Sequence, residues 1–305
     1  MSMITKNNAE ALFATDVANG IIQDTVKQSK AMQMFRKLPN MTANKTRLRV
    51  LDALPMAYWV DDATNNGRKK LTNMAWKNKF IVAQELAVIV PIKENVLDDA
   101  EFDIWAEVEP RIAEAFGKAF DEAVFVGANK PSGYRDSILT SVASVDGATI
   151  TPTADETLYS IINRAMGAVE ESGYNPNAVV GGLGLKAKFR NMVDKNGQPI
   201  TGTEIGELPK YFIDNGAWDK SKAQMIVGDF SQAVYAIRQD ITYKVLTEAV
   251  IQDPSSGEIL YNLAQDDMVA LRCVMRLGWE IPNPVTSLEG DETERFPFAV
   301  VAPQA

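Results

Sequence analysis

Met41-Thr-Ala-Asn-Lys-Thr-Arg-Leu-Arg-Val-Leu-Asp-Ala-Leu-Pro-Met-Ala-Tyr-Trp-Val60 and, beyond a polar tip, Lys77-Asn-Lys-Phe-Ile-Val-Ala-Gln-Glu-Leu-Ala-Val-Ile-Val-Pro-Ile92 are the stretches on which the fold turns. Thr46 to Leu51 alternates polar and apolar residues, the period of a strand. The outgoing run ends in Ala57-Tyr-Trp-Val60 and meets Asp61-Asp-Ala-Thr-Asn-Asn66-Gly67-Arg-Lys-Lys70. Asn-Gly between strand-like runs signals a hairpin, because both central residues take positive φ. The return run, from Met74 through Phe80-Ile-Val to Leu86–Val90, is rich in β-branched residues. Two runs this long predict a ribbon projecting beyond the body. A lone two-stranded ribbon is marginal in water, so this one needs a partner. Arg68, Lys69 and Lys70 near its tip leave two readings open, loop solubility or salt bridges to acidic faces of neighbouring copies.

On the N-terminal side, residues 15–38 place Val17, Ile21, Ile22 and Val26 at helical spacing, with Thr15 as a cap. This segment is either a helix packed on its own domain or an arm docking on a neighbour. On the other side, the period changes to 3.6 after Lys93. Trp105, Val108, Ile112, Ala115, Phe116, Ala119, Phe120 and Ala123 make one helix face, stopped by Gly127. Pro110 predicts a short helix before it and a long one starting near it. Glu107, Glu109, Arg111, Glu114, Lys118, Asp121 and Glu122 are assigned to the solvated side. The middle reads α/β. Helices are expected at 156–171 and 185–193, and strands at 177–180, 224–227, 233–237, 241–246 and 267–276. The tail is proline-rich and expected to be irregular.

Composition narrows the function. There is no His and a single Cys, in 305 residues carrying a formal charge of −9. Histidine-based nucleophile systems and imidazole metal sites are excluded, and no intrachain disulfide can form. Near neutral pH, acid–base chemistry falls to shifted carboxylates, lysines or tyrosines, which points away from an enzyme. Acidity argues against clamping DNA phosphates. The N-terminus carries no secretory signal and the longest apolar run is too short to span a bilayer, so a soluble, cytoplasmically made protein with no membrane partner is expected.

Two local motifs compete with that reading. Gly182-Leu-Gly184-Leu-Lys-Ala187 follows a strand and opens a helix, the setting of a dinucleotide fingerprint. Glu204, at the spacing of the ribose-binding acid, sits in a polar loop, so nicotinamide binding is the rival reading and not the expected one. Asp62-Ala-Thr-Asn-Asn66-Gly67 imitates half of a Ca²⁺ loop, but its twelfth position is Asn73 where a bidentate Glu is required. No cofactor, metal or catalytic residue is expected.

The order of elements (arm, projecting hairpin, long helix, α/β body, returning strands) resembles the major capsid proteins of tailed bacteriophages with the Hong Kong 97-like fold. The resemblance rests on the two stretches quoted above and on three others. These are Leu97 to Gly133, Gly228-Asp-Phe-Ser-Gln-Ala-Val-Tyr-Ala-Ile-Arg238, and Asp266–Arg272 with Arg276-Leu-Gly-Trp279. It implies an α+β capsid fold with an N-terminal arm (1–42), an extended loop and its base (43–92), and a spine helix of the peripheral domain (93–135). It further implies an axial domain (136–238), peripheral-domain strands (239–282) and a C-terminal segment returning to the axial domain (283–305).

The implied role is self-assembly into the hexamers and pentamers of an icosahedral head around double-stranded DNA, which makes the virion its location. A cellular encapsulin-type nanocompartment shell is the alternative within the same fold. The implied partners are other copies of the chain and separate scaffolding, portal and head-decoration proteins. A scaffold separate from this chain, or none, follows because the arm begins almost at Met1. Intersubunit contacts are expected from Arg47, Arg49, Tyr58, Trp59, Arg68, Lys69, Lys70 and Trp76. Some relatives form Lys–Asn cross-links, but spacing pairs none of Lys69, Lys70, Lys77 or Lys79 with an Asn, and no cross-link is expected.

Overall fold

The computed structural model describes residues 29–60, 69, 71–98, 104–153, 156–192, 198 and 208–303. Most of the 15–38 segment and the Asn66-Gly67 turn therefore lie outside the described residues.

Two sheets organise the body. The five-stranded one runs β5 (Thr149–Ile150), β13 (Phe298–Val301), β8 (Met225–Gly228), β6 (Ala178–Gly182), β7 (Lys210–Ile213). Its strands alternate between two cores. Val179, Met225, Val227, Ala299 and Val301 face Ile161, Ile162, Ala165 and Val169 of a helix at Leu158–Glu171. Ala178, Val180, Ile226, Phe298 and Val300 face the main core. Burial on both faces is why these strands read as continuous apolar runs. The four-stranded sheet runs β1 (Arg36–Lys37), β9 (Val234–Leu246), β12 (Met268–Glu280), β4 (Gln84–Lys93). Its inner residues, among them Tyr235, Ile237, Leu271 and Leu277, close the main core from the opposite side.

Several expectations are corrected. The long helix, α3 (Ile104–Asp121), continues through Pro110 and then widens into a π-helical turn, Glu122–Val126. Its buried row Ile112, Phe116 and Phe120 holds the axis against the core, so packing outweighs the hydrogen bond lost at proline. Gly127 ends it at φ 78, as expected. Ala57–Val60 is not strand; described ribbon pairing ends at Ala53 opposite Ala75. The return run is two strands. Ala75–Val82 (β3) pairs with Lys45–Ala53 (β2), whereas β4 leaves the ribbon and pairs with β12 over ten residues. Strands expected at 233–237 and 241–246 are the single strand β9, its irregularity absorbed by register shifts opposite Arg276. The helix at Leu185–Arg190 is shorter than expected, the tail expected to be irregular contains the buried strand β13, and β5, β7 and the hairpin of β10 (Val250–Gln252) with β11 (Ile259–Asn262) were not legible.

Candidate intersubunit surface

The ribbon β2–β3 owes its position to its base. Ile81 is fully buried and Val50 nearly so, and Ile81, Met41 and Ala83 form a small core with Val234 and Ala236 of β9. Here β3 crosses β12 so closely that a Cβ at Gly278 would lie 2.6 Å from Ile81 Cγ2 and 2.6 Å from the Val82 carbonyl oxygen. Only glycine permits that approach. Arg276 donates to Asn44 Oδ1 at 2.7 Å, and Arg238 donates to the Met41 carbonyl at 3.4 Å.

Register then sorts the ribbon into two faces. Thr46, Leu48, Val50, Lys77, Lys79 and Ile81 share one face, turned toward the body at its base. Glu292, from the C-terminal segment, receives Lys79 Nζ at 2.6 Å and also pairs with Lys77. Burial alone raises the Glu292 pKa, but the hydrogen bonds and charges of the two lysines outweigh it and bring it down to about 2. The Val285 N–H donates to the Leu51 carbonyl at 3.0 Å beside them.

The opposite face carries Lys45, Arg47, Arg49, Trp76 and Phe80, with no carboxylate among them. Lys45 Nζ sits 4.1 Å from the Phe80 ring centroid. Trp76 is 64% exposed, and farther out Trp59 is 96% and Leu71 99% exposed. Of the residues expected to contact neighbours, Arg47, Arg49 and Trp76 therefore stand together on one face. Trp59 and Lys69 are exposed toward the tip, and Tyr58 is half-buried and already engaged. Arg68 and Lys70 lie outside the described residues.

One anchoring residue was missed. Asp121, expected on the solvated face, is fully buried. It accepts from Ser29 Oγ at 2.8 Å, the Lys30 and Ala31 N–H groups at 3.1 and 3.0 Å, and Asn215 Nδ2 at 2.8 Å. It thereby caps a short helix, α1 (Lys30–Met34), whose next residue Phe35 packs against Phe125, Phe230 and Trp279. Burial pushes the Asp121 pKa up, opposed by these four donors. The available signal was its place between Gly117 and Phe125 at four-residue spacing, which widens the buried face.

The Gly182–Gly184 turn borders a cleft of about 780 Å³, with Leu183, Ile213 and Trp218. A Cβ at Gly182 would meet Trp218 Cδ1 at 2.8 Å, so this glycine answers to tryptophan packing. Cys273 is buried, which pushes its thiol up to about 11. Among the described residues no three His, Cys, Asp or Glu side chains converge to hold a metal ion, and no helix is long and apolar enough to cross a membrane.

The described residues thus form a mixed helix-and-strand fold whose ribbon leaves one cationic and aromatic face exposed. The profile of the phage capsid family matches residues 10–285. The major capsid protein of Staphylococcus phage 80alpha is 28% identical over 274 residues, covering 86% of this chain and 79% of its own. A solved chain from Microbacterium phage Oxtober96 is 36% identical, covers 90% of this chain and 91% of its own, and superposes with a TM-score of 0.78. One from Mycobacterium phage Cain is 30% identical, covers 91% of each chain and reaches a TM-score of 0.80. The chain belongs to the phage capsid family.

Proposed function

We propose that this chain is the major capsid protein of a tailed phage, with hexamers and pentamers of it closing an icosahedral head around double-stranded DNA. Its role is structural and non-enzymatic, and it acts in the virion after assembly in the host cytoplasm. In this reading, which takes the Hong Kong 97-like fold, α3 and its π turn are the spine helix of a peripheral domain completed by β9 and β12. The five-stranded sheet is the core of the axial domain, joined by the C-terminal segment through β13. Scaffolding, portal and decoration proteins are the further partners, and the acidic chain holds DNA without reading its sequence.

The observation that carries the reading is the outward ribbon face. Lys45, Arg47, Arg49, Trp76 and Phe80 lie side by side, and Trp59 and Leu71 stand almost wholly in water farther out. Covering a large apolar side chain is worth about 1.5–3 kcal/mol, and in a ring each copy gains it. Arg47, Arg49, Tyr58, Trp59, Arg68, Lys69, Lys70 and Trp76 are accordingly proposed as contacts to the next copy. The likenesses to phage capsids favour a DNA-filled head over a nanocompartment, and the Trp218 packing at Gly182 removes the motivation for a dinucleotide site.

Electron microscopy and sedimentation of the purified chain test this. Rings or closed shells are expected, with a Trp59→Ala, Trp76→Ala variant remaining as folded monomers. A parent chain that stays monomeric, alone and when made in phage-infected cells, overturns the proposal.

A further inference from the structure

The C-terminal segment 283–295 is an irregular stretch with an unusual amount of internal bracing. Arg295 is buried, and it donates from Nε to the Pro284 carbonyl at 3.1 Å, from Nη2 to the Asn283 carbonyl at 3.3 Å and from Nη1 to the Gly290 carbonyl. Asn283, at φ 50, returns a hydrogen bond to the Arg295 carbonyl at 3.1 Å. A guanidinium with three carbonyl partners makes the loop stiff, since each bond would otherwise leave a buried polar group unpaired.

This stiff loop touches two regions at once. On one side, Tyr174 Oη donates to the Pro284 carbonyl at 2.6 Å and Thr286 Oγ1 to the Ser172 carbonyl at 2.9 Å, just beyond the helix that covers the five-stranded sheet. On the other side it presents Glu292 to Lys77 and Lys79, two residues apart on the inward ribbon face, and Val285 to Leu51. Lys77 lies five residues along β3 from Val82 and directly opposite the buried Val50, at the outer limit of the part of the ribbon seated on the body. An ion pair between partly exposed groups contributes little to folding, so what this bond governs is the angle at which the ribbon leaves its seat.

We infer that Glu292 is the positioning residue of the ribbon. Through Lys77 and Lys79 it ties the ribbon to the Arg295-braced loop, and so to the five-stranded sheet. The outward face of Arg47, Arg49 and Trp76 is thereby held at the one angle from which it meets the next copy. The second half of this statement rests on the shell-forming role proposed above; the first half concerns the single chain.

Spin labels on Asn78→Cys in the ribbon and Ser144→Cys in the body read the angle as a distance distribution in the unassembled chain. The parent should give one narrow distance. Glu292→Lys should broaden it by several ångströms, Glu292→Gln should do so partly, and Lys77→Glu with Lys79→Glu in the Glu292→Lys background should narrow it again. Particle yield should follow, falling roughly tenfold in Glu292→Lys and recovering in the charge-swapped chain, because coupling of this kind is restored when both partners are exchanged. A distribution unchanged by Glu292→Lys and Glu292→Gln, or broadened and not recovered by the swap, overturns the positioning role. A parent chain that forms no particles while the distances respond as stated retains that role and sinks the shell reading instead.

Discussion

In the five-stranded sheet the side chains of β8 and β13 are buried on both sides, and Phe298 packs edge-on to Phe230 with ring centroids 5.0 Å apart. In the ribbon the same alternation of a strand yields one covered face and one face of cations and aromatics in water. The first region satisfies itself within the chain. The second is complete only at its base, where Val50 and Ile81 reach the body, and grows more exposed toward Trp59 and Leu71. Under the proposed shell-forming role, the difference marks where folding ends and association begins. Burial within one copy accounts for the sheet, and the surface left over on the ribbon is the part that a neighbour can use.

The comparison breaks most easily in the sheet. Phe298→Ala removes a fully buried ring of the main core, and chemical denaturation should report a loss of about 3–5 kcal/mol. A loss below about 1 kcal/mol would mean the sheet is no more self-sufficient than the ribbon.

Where ribbon and body meet, Gly278→Ala forces a methyl against the Val82 carbonyl and should cost about 1–3 kcal/mol. Hydrogen exchange should locate the damage in β3 and the facing part of β12, leaving β8 and β13 protected. Uniform loss of protection would show that the base is not a separate joint.

Acid should loosen the ribbon's tether to the C-terminal segment before it affects the sheet. The Glu292 carboxyl has a folded pKa of about 2, below its ordinary 4.5. A depressed carboxylate contributes stability above the ordinary value and loses it as pH falls through the folded one. Amide exchange in β3 should therefore be insensitive to protonation between pH 7 and 5 once corrected for intrinsic rates, and should rise relative to that of β8 as pH drops from about 4 to 2. A Glu292→Gln chain should lack that step; a step of equal size in both chains would assign it elsewhere.

The smallest expected effect on the single chain is at the tip. Trp59→Ala should change subunit stability by no more than about 0.5 kcal/mol, since Trp59 touches water on nearly all sides. A drop beyond about 1 kcal/mol would place Trp59 in a core and erase the contrast between the two regions.

The regions also differ in how openly the chain announces them. The runs at 178–182 and 225–228 are apolar without a break, and the helix at Leu158–Glu171 keeps its period, so their type was legible from residue order alone; β13 was hidden by the prolines around it, Pro297 immediately before it and Pro303 after. Arg47, Arg49 and Trp76 were legible as candidates because cations and aromatics alternate through strands that have no room for a core of their own. That they share one face followed only from the register, in which Leu51 lies opposite Trp76 and Arg47 opposite Phe80. Local patterning could not show that the apolar run ending at Val90 splits at Ala83, since both halves have the same period. It could not show Asp121 either. A lone carboxylate on a charged helix reads as solvated until four donors from two distant segments close around it.

What residue order determined by itself is what depends on neighbours within a few positions: strand and helix period, the stop at Gly127, and the excess of apolar and cationic side chains along a ribbon. The exclusion of histidine chemistry is of the same kind, because it needs only a count. The tertiary structure decided everything that joins residues far apart in the chain. It carried α3 through Pro110, paired β4 with β12, closed the core around Phe35, and set Glu292 against Lys77 and Lys79 across 215 residues. The physical reason is that burial is indifferent to separation in sequence. A carboxylate finds its partners according to which surfaces the core has already brought together, and local patterning carries no record of that.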